Sequence, residues 1–254
     1  MVVCGCSQAL GEESEFGQYF AEHGVEGAFI LYNWNEGTYV RHNAERCAQQ
    51  FIPASTFKVF NALVALETGV VADENQVIQW DGVDRNYAPW NRDHNLKTAM
   101  EHSVVWFYQE LARRVGRERM QHYIDAVGYG NQDISGEIDS FWLEGGLRIS
   151  QEEQIQFLGR LYEGDLPFSD RAMDIVREII VLEETDEYKL SGKTGWTSRV
   201  EPQIGWFVGY LEEDGNVYFF ATNVEREETS ESLGWVSLEI TRKILEELGL
   251  LPGH

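Results

Sequence analysis

Segments of strand character sit at both ends of this chain, and the long stretch between them carries helical periodicity. Near the start, Ala28-Phe29-Ile30-Leu31-Tyr32 has the pattern of a buried strand. Asn33-Trp34-Asn35-Glu36-Gly37 then supplies a turn before a second short strand, Thr38-Tyr39-Val40-Arg41, which predicts a hairpin. From Tyr188 onward, Tyr188–Lys193, Gln203–Leu211 and Asn216–Asn223 are strand-like, and Asp214-Gly215 is a hairpin turn between the last two. The middle is different. A helix is expected from near Ser55, after Pro53, carrying Phe57, Phe60, Leu63, Val64 and Leu66 to a stop at Gly69. Residues 97–115, 117–126, 150–163 and 168–182 also have helical spacing, and Asp81–Asn95 is a polar, aromatic loop. Helices are further expected at the two extremes. Phe16, Tyr19 and Phe20 mark one within 12–24, and Val236, Ile240, Ile244 and Leu248 mark one face of the last.

This distribution predicts an α+β body, an antiparallel sheet with flanking helices plus a helical lobe, and a cleft between the two lobes. The division expected is a stub and first helix over 1–19, then a single domain over 20–254. Its sheet lobe would take 20–54 and 186–254, and its helical lobe 55–185. A chain of 254 residues is long enough to bury such a core.

The net charge of −23 argues against a nucleic-acid or anionic-membrane partner, because there is no basic surface to meet phosphates. The acid is spread along the chain, from Glu12 and Glu13 through Glu183 and Glu184 to Glu227 and Glu228, so it is not a tail. A salt-rich habitat and a simply acidic secreted protein both fit it. No apolar run approaches the ~20 residues that span a bilayer. Cys4, Cys6 and Cys47 form no metal-ligand pattern with a nearby histidine, so no metal is expected. Val3-Cys4-Gly5-Cys6 fits the stub of a lipoprotein signal with Cys6 as the acylated residue, and a trimmed signal peptide fits as well.

Three short motifs carry the chemistry. In Ser55-Thr56-Phe57-Lys58, residues three apart share a helix face, so the amine reaches the hydroxyl. A helix N-terminus adds partial positive charge and free N–H groups beside a nucleophile that must pass through an oxyanion. Serine is a poor nucleophile without a base, and an ordinary lysine, with pKa ~10.4, is protonated and cannot serve. Lys58 must therefore be desolvated or chemically modified. Lys193-Thr194-Gly195 ends a predicted strand, where Lys193 and Thr194 can face an anionic substrate and Gly195 permits close approach. Ser103-Val104-Val105 heads a helical segment, where the hydroxyl can relay a proton or simply cap the helix. Each motif alone is weak, but the three together in this order form the signature of penicillin-recognising serine enzymes.

The chain resembles the class D, or oxacillinase-type, serine β-lactamases, which have the penicillin-binding, transpeptidase-like fold. The resemblance runs through Pro53–Lys58, Ser103-Val104-Val105, Tyr129-Gly130-Asn131, Phe141-Trp142-Leu143-Glu144-Gly145 and Lys193-Thr194-Gly195-Trp196. Trp90–Leu96 and Leu147-Arg148-Ile149-Ser150 extend it, and it covers roughly residues 20 to 250. It implies that Lys58 sits neutral in an apolar pocket and takes up CO₂, from dissolved bicarbonate, to become N6-carboxylysine. Phe57, Val105 and Leu143 would keep that pocket dry, and the indole N–H of Trp142 would hydrogen-bond the carbamate. Ser55 would attack the lactam, with the backbone N–H groups of Ser55 and Trp196 as oxyanion hole. Ser103 and Lys193 would deliver a proton to the leaving nitrogen, and Val105 with Leu143 would gate the deacylating water. Tyr129-Gly130-Asn131 would be a structural loop beside the cleft. The expected partner is a β-lactam, the location secreted or periplasmic, and the assembly a monomer or homodimer.

One departure stands out. The family usually carries an arginine near the start of the last helix that pairs with the drug's carboxylate, and here the stretch reads Leu233-Gly234-Trp235-Val236-Ser237-Leu238-Glu239. The loss of a charge-assisted bond costs ~1–3 kcal/mol, and it matters more in so acidic a protein. Arg199 and Arg226 are the candidate substitutes, Arg242 lies farther along the helix, and Lys193 and Thr194 remain as anion contacts. The loop Arg199-Val200-Glu201-Pro202, with Val105 and Leu143, is similar to the carbapenem-hydrolysing branch. The competing expectations are a β-lactam sensor domain, a slow penicillin-binding homologue and a cell-wall transpeptidase. The first two acylate without efficient deacylation.

Overall fold

Strands from the two ends of the chain pair in one sheet. In the computed structural model, which describes residues 16–253, β1 (Glu26–Asn33) and β2 (Thr38–His42) form the expected hairpin. From the far end come β3 (Val181–Glu184), β4 (Tyr188–Thr197), β5 (Gln203–Glu213) and β6 (Asn216–Arg226). The order is β2-β1-β6-β5-β4-β3 and every neighbouring pair is antiparallel. The seam between the two ends is β1 against β6, with Ala28 opposite Asn223 and Leu31 opposite Phe220. β5 is buried from Gln203 to Leu211, because helices cover both faces of the sheet.

One face meets the helical lobe. This comprises α2 (Ala44–Cys47), α3 (Phe57–Glu67), α4 (Leu96–Glu101), α5 (Val105–Val115), α6 (Arg117–Val127), α7 (Gln151–Glu163) and α8 (Asp170–Ile179). The other face meets α9 (Leu233–Glu247), whose Leu233, Val236, Ile240 and Ile244 pack in one apolar cluster with Phe29, Phe207 and Phe220. α1 (Gly17–Glu22) joins that cluster through Phe16 and Phe20, and its Tyr19 hydroxyl bonds Glu247 of α9. A boundary at residue 20 therefore cuts through a helix that belongs to the sheet lobe. Cys4, Cys6 and the first part of the 12–24 segment lie outside the described residues.

Two expected helices end earlier than their periodicity suggests. The 168–182 segment stops at Ile179, and Val181–Glu184 crosses to pair with β4, so the sheet lobe begins before residue 186. The 97–115 segment is two helices, broken at Ser103. That break builds part of the site.

Candidate active site

The nucleophile stands on a turn held from all sides. Trp206 Nε1 donates to Ile52 O (2.9 Å), Ala54 N donates to Trp142 O (3.0 Å), and Thr56 Oγ1 donates to Pro53 O (2.8 Å). Gln154 Nε2 of α7 in turn donates to Thr56 Oγ1 (2.9 Å). Ala54 adopts φ 50°, a left-handed conformation that an alanine takes only when its surroundings impose it. The expected helix start is thus a 3-10 turn over Ala54–Thr56 that feeds α3. Its result is a Ser55 side chain directed at Lys58, one turn along.

Lys58 is fully buried, and its Nζ lies 2.7 Å from Ser55 Oγ, 2.7 Å from Ser103 O and 2.8 Å from Ser103 Oγ. Burial holds its pKa well below the ordinary lysine value, and the nearby positive charge of Lys193 pushes the same way. A neutral amine has two hydrogens and a lone pair, so it can donate to both Ser103 oxygens and accept from the Ser55 hydroxyl. Ser103 reaches the amine because the chain reverses there with φ 51°, between α4 and α5. The cap position of α5 is Val104, which makes no side-chain cap bond. Ser103 is not the capping serine that its place before a helix allowed.

Trp142 is fully buried, and its ring stacks on Phe57, with centroids 5.3 Å apart. Its Nε1 has no hydrogen-bond partner among the described residues. Leu143 beside it is buried, and Val105 is half-buried. Tyr129-Gly130-Asn131 buttresses this wall. The Tyr129 ring packs on Phe57 and Phe60, and Asn131 exchanges hydrogen bonds with the backbone of Gly146 and Arg148. Gly130 is required there: φ is 53°, and a Cβ would sit 2.0 Å from Arg148 O.

The facing wall is the edge of β4. β3 pairs with β4 only as far as Ser191, where Gly192 N donates to Ile180 O. Backbone N–H groups alternate sides along a strand, so those of Thr194 and Trp196 point the same way, beyond the end of β3. Trp196 thus offers its amide to the cleft, while its indole bonds Gln203 Oε1 (3.0 Å). Lys193 is buried, its Nζ donates to Thr194 O (3.1 Å), and burial lowers its pKa to about 7. A Cβ on Gly195 would lie 3.1 Å from both Pro53 O and Thr56 Cγ2. This glycine therefore lets β4 close on the turn that bears Ser55.

All three candidate arginines are engaged. Arg199 pairs with Glu144 (3.0 Å), Arg226 with Glu231 (2.7 Å) and the His23 carbonyl, and Arg242 with Glu183 (2.9 Å). Arg199, the notable candidate for meeting the substrate carboxylate, is thus paired with Glu144 through an exposed ion pair.

Sequence reasoning missed Thr197, whose Oγ1 donates to Leu143 O (2.9 Å), and the Gln154–Thr56 support behind the nucleophile. Neither lies in a motif, and both depend on contacts between segments far apart in the chain.

A Ser–Lys–Ser set around a fully buried lysine, between a helical lobe and an antiparallel sheet edge, defines a serine acyl-transfer enzyme of the penicillin-binding type. The model of the penicillin-binding protein transpeptidase domain matches residues 27–246. β-Lactamase OXA-48 of Klebsiella pneumoniae is 47% identical over 95% of this chain and 90% of its own. The solved structure of a class D β-lactamase from Nostoc, 49% identical, superposes with a TM-score of 0.89 over 93% of this chain and 99% of that one. The regulatory protein BlaR1 of Bacillus licheniformis is 37% identical over 95% of this chain but only 40% of its own. The chain belongs to the penicillin-binding transpeptidase family and, within it, to the class D serine β-lactamases.

Proposed function

We propose that this β-lactamase opens penicillin-type β-lactams through a Ser55 acyl-enzyme and clears it with Lys58, N-carboxylated by CO₂, as general base. The observation that carries the reading is the buried Trp142 indole N–H, which has no acceptor among the described residues. An unpaired buried donor costs ~1–3 kcal/mol. A carboxylate on Lys58 fits on two counts. The neutral amine that burial produces is the form that takes up CO₂, and a carbamate oxygen would give Trp142 its acceptor.

When bound, the carboxyl group supplies a base that removes a proton first from Ser55 and later from water. Ser55 Oγ attacks the lactam carbonyl, and the amides of Ser55 and Trp196 hold the oxyanion. The ring C–N bond then breaks, and Ser103 gives its proton to the departing nitrogen. Lys193, which with Thr194 holds the substrate carboxylate, restores that proton and is itself replenished by the proton taken from Ser55, which leaves the base free to act on water. Val105 and Leu143 limit the water that reaches the ester. Carbapenems are a second substrate class that the Arg199–Pro202 loop supports. Secretion or a periplasmic location follows from the same reading, and lipid attachment at Cys6 concerns residues outside those described. Among the described residues no helix is long and apolar enough to cross a membrane.

The test is intact-mass spectrometry after mixing with a penicillin, with bicarbonate present and withheld. Rapid return to the unmodified mass, slowed when bicarbonate is withheld, is the expected result. An adduct on Ser55 that persists under both conditions would overturn the hydrolytic reading and favour a sensor or a slow penicillin-binding homologue.

A further inference from the structure

The two amides assigned to the oxyanion come from different elements, the turn that bears Ser55 and the edge of β4. Their spacing depends on what ties that turn to the sheet. α7 does so with two buried glutamines, Gln151 and Gln154, which share a helix face. Gln151 Nε2 donates to Ala28 O of β1 (3.0 Å) and to Ala221 O of β6 (2.6 Å), across the seam of the sheet. Gln154 Nε2 donates to Thr56 Oγ1 (2.9 Å), and Thr56 Oγ1 gives its one hydrogen to Pro53 O (2.8 Å). Stability alone does not call for an amide at 154. A buried polar group costs free energy unless it is paired, and replacing both partners by apolar groups of the same shape is close to neutral. What the pair supplies is direction. The Ser55 N–H belongs to the peptide plane that joins Ala54 to Ser55, and Ala54 holds an imposed φ of 50°. Such a conformation persists only where its surroundings fix it, and relaxation at Ala54 swings the Ser55 amide away.

We propose that Gln154 is a positioning residue for the oxyanion hole, acting through Thr56 to keep the Ser55 amide aimed at the substrate carbonyl. It touches no reacting atom. Thr56 follows Ser55 directly, and its Cγ2 would lie 3.1 Å from a Cβ on Gly195, the β4 residue before Trp196. One side chain thus links α7 to both oxyanion donors. The oxyanion forms twice, when Ser55 attacks the lactam and again when water attacks the ester, so a misaimed amide slows both half-reactions. That separates Gln154 from Trp142, which serves the base. Outright loss of an oxyanion donor costs ~10²–10³ in rate, and a donor kept but misaimed costs less, about tenfold. The inference rests on the reading that the amides of Ser55 and Trp196 hold the oxyanion.

The experiment measures single-turnover acylation and deacylation by mass, with a penicillin and saturating bicarbonate. It compares wild type, Gln154→Met, Thr56→Val, Thr56→Ser and the double variant Gln154→Met with Thr56→Val. Gln154→Met should slow acylation and deacylation by about tenfold each. Thr56→Val should do the same, and the double variant should be little slower than either single one, because both changes break one path. Thr56→Ser keeps the hydroxyl and should recover most of the rate that Thr56→Val loses. Counting only enzyme that takes up the acyl group keeps folding losses out of the rates. Acylation by Gln154→Met within about twofold of wild type overturns the proposal, as does a loss confined to deacylation or losses that add in the double variant. Should Gln154→Met fail to fold, the Thr56 variants decide. Thr56→Val at the wild-type rate, or Thr56→Ser as slow as Thr56→Val, overturns the proposal. Failure of wild type itself to shed the acyl group strikes the hydrolytic reading instead, and the acylation rates still decide the role of Gln154.

Discussion

The two walls of the cleft are built to different standards. On the helical wall, Ser55, Lys58 and Ser103 are locked by hydrogen bonds of 2.7–2.8 Å around a fully buried amine, and the backbone is forced into left-handed conformations at Ala54 and Ser103. On the sheet wall, Thr194 and Trp196 are half-buried, the strand edge is open, and the nearby arginines are spent on carboxylates. The first wall holds reacting atoms in place before substrate arrives. The second must gather an anionic substrate in a protein of charge −23 with little free positive charge. Chemistry and capture are therefore separable here, and substitutions on the two walls should fail in different ways.

The largest effect belongs to the helical wall. Ser55→Ala should abolish penicillin turnover by a factor of ~10⁴ or more and leave no acyl adduct by mass. Next comes Trp142→Phe, which keeps the stack on Phe57 but removes the indole donor. Deacylation should slow by ~10²-fold with KM not raised, adduct should accumulate, and added bicarbonate should restore part of the rate. Preserved turnover in that variant would dissolve the contrast drawn between the walls. Gly130→Ala should act on folding rather than on either wall. Its Cβ cannot coexist with Arg148 O, so a loss of ~1–3 kcal/mol is expected from denaturant midpoints, with kcat kept in the protein that remains folded.

The pH response sharpens the comparison further. Lys193 has a folded pKa of about 7, below the ordinary lysine value of ~10.4 that it regains on unfolding. Between those values the unfolded chain holds more protons on this residue, so its contribution to stability should rise with pH from about 7 toward 10. Thermal unfolding without bicarbonate should show that slope, reduced in Lys193→Met. The smallest effect is expected from Arg199→Ala. An exposed ion pair contributes ~0.2–1 kcal/mol, and penicillin KM should be unchanged.

How far the sequence could be read depended on the range of the contacts involved. The sheet and its two sets of strands were legible because period-two and fully apolar runs are local signals, and the Ser55–Lys58 pair because one helical turn joins its members. The break at Ser103 was not legible. The 97–115 segment keeps helical spacing on both sides, and the chain reverses there so that one carbonyl and one hydroxyl can reach an amine 45 residues away in sequence. β3 was hidden for a similar reason, since Val181 and Leu182 continue a helical pattern until pairing with β4 decides otherwise. The pairing of Arg199 with Glu144 is also tertiary, and charge counting alone did not reveal it.

The Thr197 hydroxyl, which donates to Leu143 O across the mouth of the cleft, ties the end of the oxyanion strand to the residue proposed to ration water. It acts as a mechanical strut between the two half-reactions. A bulky drug that displaced the Trp196 edge would also pull on Leu143. Where Trp196 holds the oxyanion and Leu143 rations water, this one hydrogen bond links tolerance for large substituents to speed of release, although the reacting groups and the capture surface stay on separate walls.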